Sequence, residues 1–444
     1  MSKKTIATLI GIIVVLGGGI FVLYLFLFAE DPGDFVEELR NSFPFGREAP
    51  VEENGDPVGE EDDDEDDVSD EDHALREISR YPSVEDGAFA FTRDGNTYVR
   101  YISRNKGDLY EVSIDGTGHR ELLTEEEGLF PGVYRALWIN ENTVILFISD
   151  NGSTNIVAVE FSEGEDSVTW SGTNFPSSTI DIALSPNKES LFYLVENEEN
   201  VLGYRQTVND AVSGSGMGEH VYASPIRDWI IEWPSQNMVT LTTKASGGVG
   251  GHMYTLNPHT GSQTHALRNI NGLVTRTNTE GEYTIYNENT ESGADTIMYD
   301  HVSRTHSPVD DLATLVDKCA WEQEGLVICA RPTTLSAHTY PDMWYQGKTG
   351  FRDSFFEVMD ANTGFLATLF VPTDENPSAS VDAINITFDP QGRYIIFNNR
   401  NSGHIWSYDL GSADAFGDDI ERSIIQEREE YDEREVLEFD NPKE

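Results

Sequence analysis

The chain has 444 residues, and 79 Asp and Glu against 29 Lys and Arg leave a formal net charge of −50. Nucleic-acid binding rests on neutralising phosphates with cations, so this balance argues against nucleic acid as a partner. Only 38% of the residues are hydrophobic, and much of the deficit lies in polar tails; the length allows one large all-β domain with appendages.

Lys3 and Lys4 precede 24 uncharged, mostly apolar residues, 5–28. A run of this length crosses a ~30 Å hydrocarbon layer as a helix. Basic residues before it and Glu30, Asp31 and Asp34 after it predict a cytoplasmic N-terminus and an extracytoplasmic remainder. A cleaved signal peptide is the alternative, but its apolar region is shorter, and Leu27 is bulky for the −3 position. Residues 29–72 are rich in Pro, Gly and acids and end in the acidic run 60–67. Such a segment repels itself and buries too little apolar surface to fold, so it is expected to be a disordered spacer.

A repeated pattern begins near residue 73. Phe91, Trp138, Leu184, Trp233, Thr277, Trp321 and Phe388 each precede a turn signal, at intervals of 44 to 49 residues and once of 67. One propeller blade, four strands long, has a period of about 40 to 50 residues. Phe91-Thr92-Arg93-Asp94-Gly95 starts a unit in which an apolar strand, Asp-Gly, a second strand, a Tyr-containing third strand and a terminal Leu-Thr follow. Leu184-Ser185-Pro186-Asn187 and Phe388-Asp389-Pro390-Gln391-Gly392 carry a Pro form of the same turn. This resembles the TolB-like propeller repeat, a relative of WD repeats, and more broadly the membrane-anchored propellers of bacterial envelopes. The fold class expected is all-β: a seven-bladed β-propeller over 73–410, after an N-terminal transmembrane helix and an acidic disordered linker. The last blade shows three strands, and Arg76-Glu77-Ile78-Ser79 matches Arg120-Glu121-Leu122-Leu123, an outer strand. The N-terminal strand is therefore expected to complete blade seven, because an open ring would expose strand edges.

Blade six holds two singular features. Residues 333–352 are inserted between its second and third strands and carry Tyr340, Trp344, Tyr345, Lys348 and Phe351. They read either as a ligand or partner contact on a rigid scaffold or as a loop packing its own aromatics. The only cysteines, Cys319 and Cys329, fall opposite each other if the hairpin turns at Gln323-Glu324-Gly325. Opposed Cβ atoms lie near disulfide reach and an extracytoplasmic location permits the bond; buried thiols are the alternative.

The innermost strands begin with or follow Asp181, Asp228, Asp317 and Asp382, with Arg135, Arg227 and Arg276 nearby. These are candidate channel residues, or else they cap strand ends and pair with one another. The ten histidines are scattered, and the spacing sets His252, His259 and His265 at different depths, against a metal site. P-loop, H-E-x-x-H, G-x-S-x-G and C-x-x-C patterns are absent, and no cofactor is expected. Residues 411–444 turn acidic again and form a tail. The functional expectation is a membrane-anchored, extracytoplasmic scaffold that binds a protein or envelope component. An extracytoplasmic hydrolase or lyase, with its site at the channel beneath the blade-six loop, is the alternative.

Overall fold

The computed structural model describes residues 74–411, leaving out 126–127, 151, 165–166, 292, 323–324 and 337–338. The expected transmembrane helix, acidic linker and C-terminal tail lie outside the described residues. Among the described residues, no helix is long and apolar enough to cross a membrane.

Strands joined by hairpins dominate, with the short helices Val208–Val212, Asp342–Tyr345 and Pro372–Glu375 and the 3-10 turn Val316–Lys318. They form consecutive four-strand antiparallel groups: five separate sheets and one eight-stranded sheet. The larger sheet is two such groups joined by one parallel pair, Glu85 opposite Arg135. Counted this way there are seven units: 83–123, 133–174, 179–224, 229–271, 275–308, 319–370, and 383–409 with the N-terminal strand. Leu75–Glu77 is the fourth strand of unit seven, with Leu75 opposite Tyr408 and Glu77 opposite Trp406. The closing strand inferred from the match to 120–123 therefore exists.

The hairpin signals act as expected. Asp94 and Gly95 have φ of 53° and 80°, the two positive values that an Asp-Gly turn of type I′ requires. Second strands such as Thr143–Asp150 and Ser190–Glu196 carry unbroken runs of five buried residues, 143–147 and 191–195, instead of alternating. Both faces of their sheets pack on a neighbour, so the apolar run is continuous.

Seven apolar clusters account for that packing, one per pair of neighbouring units. Trp138, Val144 and Phe161 of unit two meet Val84, Ile102 and Leu109 of unit one. Units two and three, three and four, four and five, five and six, and six and seven are joined in the same way. Ile396 and Ile405 of unit seven then meet Val99, Tyr101 and Val112 of unit one, so the packing is cyclic. Two repeat tryptophans add directional bonds: Trp138 Nε1 donates to the Gly87 carbonyl at 2.9 Å and Trp321 Nε1 to the Arg276 carbonyl at 3.0 Å. Each ties an innermost strand to the one before it.

The outer strands hold a regularity that the sequence reading missed. His220, His265 and His306 stand opposite Tyr204, Tyr254 and Tyr299 in the ladders between third and fourth strands. Their rings lie 5.5, 4.1 and 4.9 Å apart, so these histidines are aromatic packing partners. The depth argument for His252 and His265 fails: a register shift brings Nδ1 of one within 3.2 Å of Nε2 of the other.

Candidate functional site

The innermost strands direct charged and polar side chains to one place. Arg135 Nη1 donates to Asp181 Oδ1 at 2.8 Å and its Nε to Asp86 Oδ2 at 3.3 Å, linking units one, two and three. Arg276 of unit five pairs with Glu232 of unit four. Asp317, just before the first strand of unit six, accepts from the Tyr345 hydroxyl at 2.7 Å. The Asn385 amide of unit seven, oriented to satisfy both its atoms, donates to Asp86 Oδ1 at 3.2 Å and accepts from the Asp86 N–H at 3.0 Å. Glu85 senses Asp86, Arg135, Asp317 and Arg276 together, so these groups share one region. The cluster holds five carboxylates against two guanidiniums.

Local irregularity aims these side chains. Register shifts in the first hairpins fall between Ser83 and Ala88, Val133 and Arg135, Thr179 and Asp181, Glu232 and Ser235, and Ile384 and Thr387. A bulge turns one residue out of the alternation and re-aims its side chain. Asp86 and Asn385 also have positive φ, 51° and 53°.

Glu85 keeps accessible surface yet is ringed by protein. That partial desolvation, with Asp86 beside it, raises its pKa, and Arg135 offsets part of the rise. Burial works against charge on Arg135, but Asp181 and Asp86 outweigh it and hold the guanidinium more firmly protonated than usual.

The insertion lies over this region. Tyr340, Trp344 and Phe351 are buried in a small core with Leu315 and Ala294. The Tyr340 N–H donates to Asn289 Oδ1 at 2.8 Å, Gly247 N–H to Asp342 Oδ2 at 2.5 Å, and Asn401 Nδ2 to the Phe351 carbonyl at 3.3 Å. Those bonds tie it to units four, five and seven. Of its five candidate contact residues, Tyr345 (45% exposed) and Lys348 reach solvent. The aromatic loop therefore spends Tyr340, Trp344 and Phe351 on its own packing.

Beneath it lies a second, dry cluster. Lys318 Nζ is within 2.9 Å of Asp353 Oδ1 and 2.5 Å of Asp382 Oδ1, and all three side chains are 0% exposed. Asp382 also accepts from Trp344 Nε1 at 3.1 Å and from the Phe351 N–H at 3.3 Å. Asp382, taken from the sequence as a channel residue, is thus a buried anchor for the insertion. Burial pushes the Asp353 carboxyl up to about 6, with Lys318 opposing. On the next residue, Cys319 is joined to Cys329 by a disulfide, the two opposite in the hairpin with Cα atoms 4.0 Å apart.

Of the channel candidates, Arg135, Asp181 and Asp317 belong to the axial cluster, as does Arg276. Arg227 and Asp228 do not: they lie in the connection before Trp229–Ser235, are exposed, and pair with Glu196 and with Lys244. Glu85, Asp86, Glu232, Asn385, Lys318 and Asp353 went unrecognised. One signal could have found two of them. Arg135, Asp181, Lys318 and Asn385 all stand three residues before the aligned turn residue of their unit.

A cleft of about 760 Å3 opens beside the cluster, walled by units one, two and seven and lined by Glu85, Arg104, Tyr134, Asn385, Asn398 and Arg400 among others. Arg400 also touches the insertion, donating to the Trp344 carbonyl at 2.5 Å with its guanidinium 4.6 Å from that ring.

No protein-family model matches the chain, and no curated protein matches it. Among solved structures it is similar to oligogalacturonate lyase from Vibrio parahaemolyticus at 10% identity and a TM-score of 0.48, covering 77% of this chain and 95% of that one. It is similar to TolB from Acinetobacter baumannii at 11% identity and a TM-score of 0.39, covering 72% and 78%. The tricorn protease is similar at 8% identity and a TM-score of 0.46, over 80% of this chain; the match spans 35% of the tricorn chain.

Proposed function

We propose that the seven units are the blades of one closed β-propeller, and that it serves as an extracytoplasmic binding module tethered to the membrane through 5–28. Cyclic packing and the closing strand Leu75–Glu77 support the closed ring. Removing residues 1–80 is expected to bare the edge of Ile405–Asp409 and cause aggregation, whereas removing 1–72 leaves a domain that melts cooperatively. Equal behaviour of the two truncations would sink the closure.

The single observation that carries the binding role is the insertion. It is fastened to three other units and sets Tyr345 beside the axial carboxylates, which makes a preformed surface. A partner protein or envelope component would meet Tyr345 and Lys348 at the loop and the paired charges below. Proximity labelling with the full-length chain tests this: a neighbour labelled by the wild type should be lost with Tyr345→Ala plus Lys348→Glu. An unchanged set of neighbours would refute the assignment of this face.

The alternative, a hydrolase or lyase acting at the same face, is favoured by one feature. The raised pKa of Glu85 in the cleft wall suits a general acid or base. Activity on envelope glycans or peptides that vanishes with Glu85→Gln would favour it.

A further inference from the structure

Cations are scarce in this chain, and most of the arginines among the described residues are committed. Nine arginines among the described residues pair with a carboxylate. Arg104 and Arg400 are not among them, and both line the cleft between units one, two and seven. Glu85 is the one carboxylate among its lining residues, so two guanidiniums face one carboxylate in the cleft wall, with the other carboxylates of the axial cluster beside it.

The two guanidiniums stand on neighbouring loops. Arg104 lies against the loop that follows Arg400: a Cβ at Gly403 would fall 3.0 Å from Arg104 Nη2, and Gly403 has φ of 81°. Arg400 is already oriented by the Trp344 carbonyl and ring, which leaves its other N–H groups free. A third group points the same way. Asn398 is 5% exposed, lines the cleft, and its side-chain amide makes no protein hydrogen bond, which leaves it open to the cleft. Tyr134, 42% exposed, adds an aromatic wall.

We propose that this cleft binds a small organic molecule through its oxyanion group, a carboxylate or a phosphate, gripped by Arg104 and Arg400 with Asn398 bonding the ligand's polar body. Planar guanidinium forks match both anions in bidentate geometry. The protein's distant charges are screened over ~8 Å at ~0.15 M salt, so the two arginine forks act at contact distance against Glu85 and the neighbouring axial carboxylates alone. This inference deepens the binding-module reading and rests on it.

The test is titration calorimetry of the full-length chain with succinate and with inorganic phosphate at ~0.15 M salt. Saturable binding of one of them is expected, and which one binds distinguishes carboxylate from phosphate recognition. Arg104→Gln, at an exposed side chain that forms no ion pair, should weaken binding about tenfold or more. Asn398→Ala should weaken it severalfold, and Arg400→Lys, which keeps the charge but loses the fork, by an intermediate factor. Arg304→Gln, an exposed arginine of unit five, should bind like the wild type. Absence of binding by both anions, or equal binding by Arg104→Gln and wild type, would overturn the proposal. If that happens while partner labelling still depends on Tyr345 and Lys348, the binding-module reading stands and the anion site alone falls.

Discussion

Lys318 with Asp353 and Asp382, and Arg135 with Asp86 and Asp181, are the same chemistry: one cation between two aspartates. The first trio is 0% exposed, whereas the side chains of the second are 24%, 40% and 12% exposed. In the dry trio, removal from water costs each charge several kcal/mol, and only the full set of contacts offsets it. Asp353 shows that cost in a pKa pushed up to about 6 by burial. In the wet trio solvent shares the charge, so the groups keep surface for a ligand. Burial, and not residue type, separates the structural cluster from the candidate site.

The sharpest way to break this contrast is to remove each cation. Lys318→Met leaves two buried carboxylates unpaired and should cost about 3 to 5 kcal/mol in urea unfolding. Arg135→Met should cost about 1 kcal/mol or less, because its partners are reached by water. Equal losses would erase the distinction.

The disulfide next to Lys318 offers a smaller effect. Replacing Cys319 and Cys329 by Ser opens a loop of sequence separation 10, so the loss should stay below about 3 kcal/mol. Hydrogen exchange should rise over 331–353 before the rest of the domain. Unchanged protection there would mean that the bond does not support the insertion.

Within the insertion, Trp344→Phe removes a donor to the buried Asp382 and should cost about 1.5 to 3 kcal/mol. Tyr345→Phe, at the solvent side, should cost under about 1 kcal/mol. Thermal melts that rank the two the other way would contradict the burial argument.

The smallest effect is on pH dependence. Asp353 has a folded pKa of about 6, above its ordinary 3.8, so the folded state holds the extra proton between those values. Its destabilising cost is full above pH about 6 and shrinks as pH falls toward 3.8. From pH about 7 to about 5, wild type should therefore gain stability relative to Asp353→Asn. Glu111 runs the other way. Burial alone would raise its pKa, but Arg93 and Arg100 outweigh it and lower it below 4.5, so its contribution is lost as pH falls through the folded value. A wild-type minus Asp353→Asn difference that is flat across this range would show that the dry trio titrates as ordinary carboxylates do.

Much of the architecture is legible in the chain. The turn signals recur at a blade-sized period, and their spacing sets where each hairpin reverses. A hairpin that turns near residue 324 must oppose Cys319 and Cys329, and the ladder does so. The outer strand at 76–79 is recognisable because it repeats a pattern and lacks three strands before it. These features depend on local backbone preference and on side-chain alternation, which neighbouring residues determine.

The site was only half legible, for a physical reason. Side chains in a strand alternate faces, so one inserted residue reverses every later assignment. Bulges at Asp86, Arg135, Asp181 and Asn385 make that reversal where the innermost strands begin, and they leave no composition signal. Lys318 and Asp353 are 35 positions apart, yet the cyclic packing and the insertion seal them from water. Sequence alone determined the strands, their period, the disulfide register and the strand that closes unit seven. Tertiary structure alone decided which charges are dry and which face solvent, because desolvation depends on everything packed around a group and not on the residues beside it in the chain.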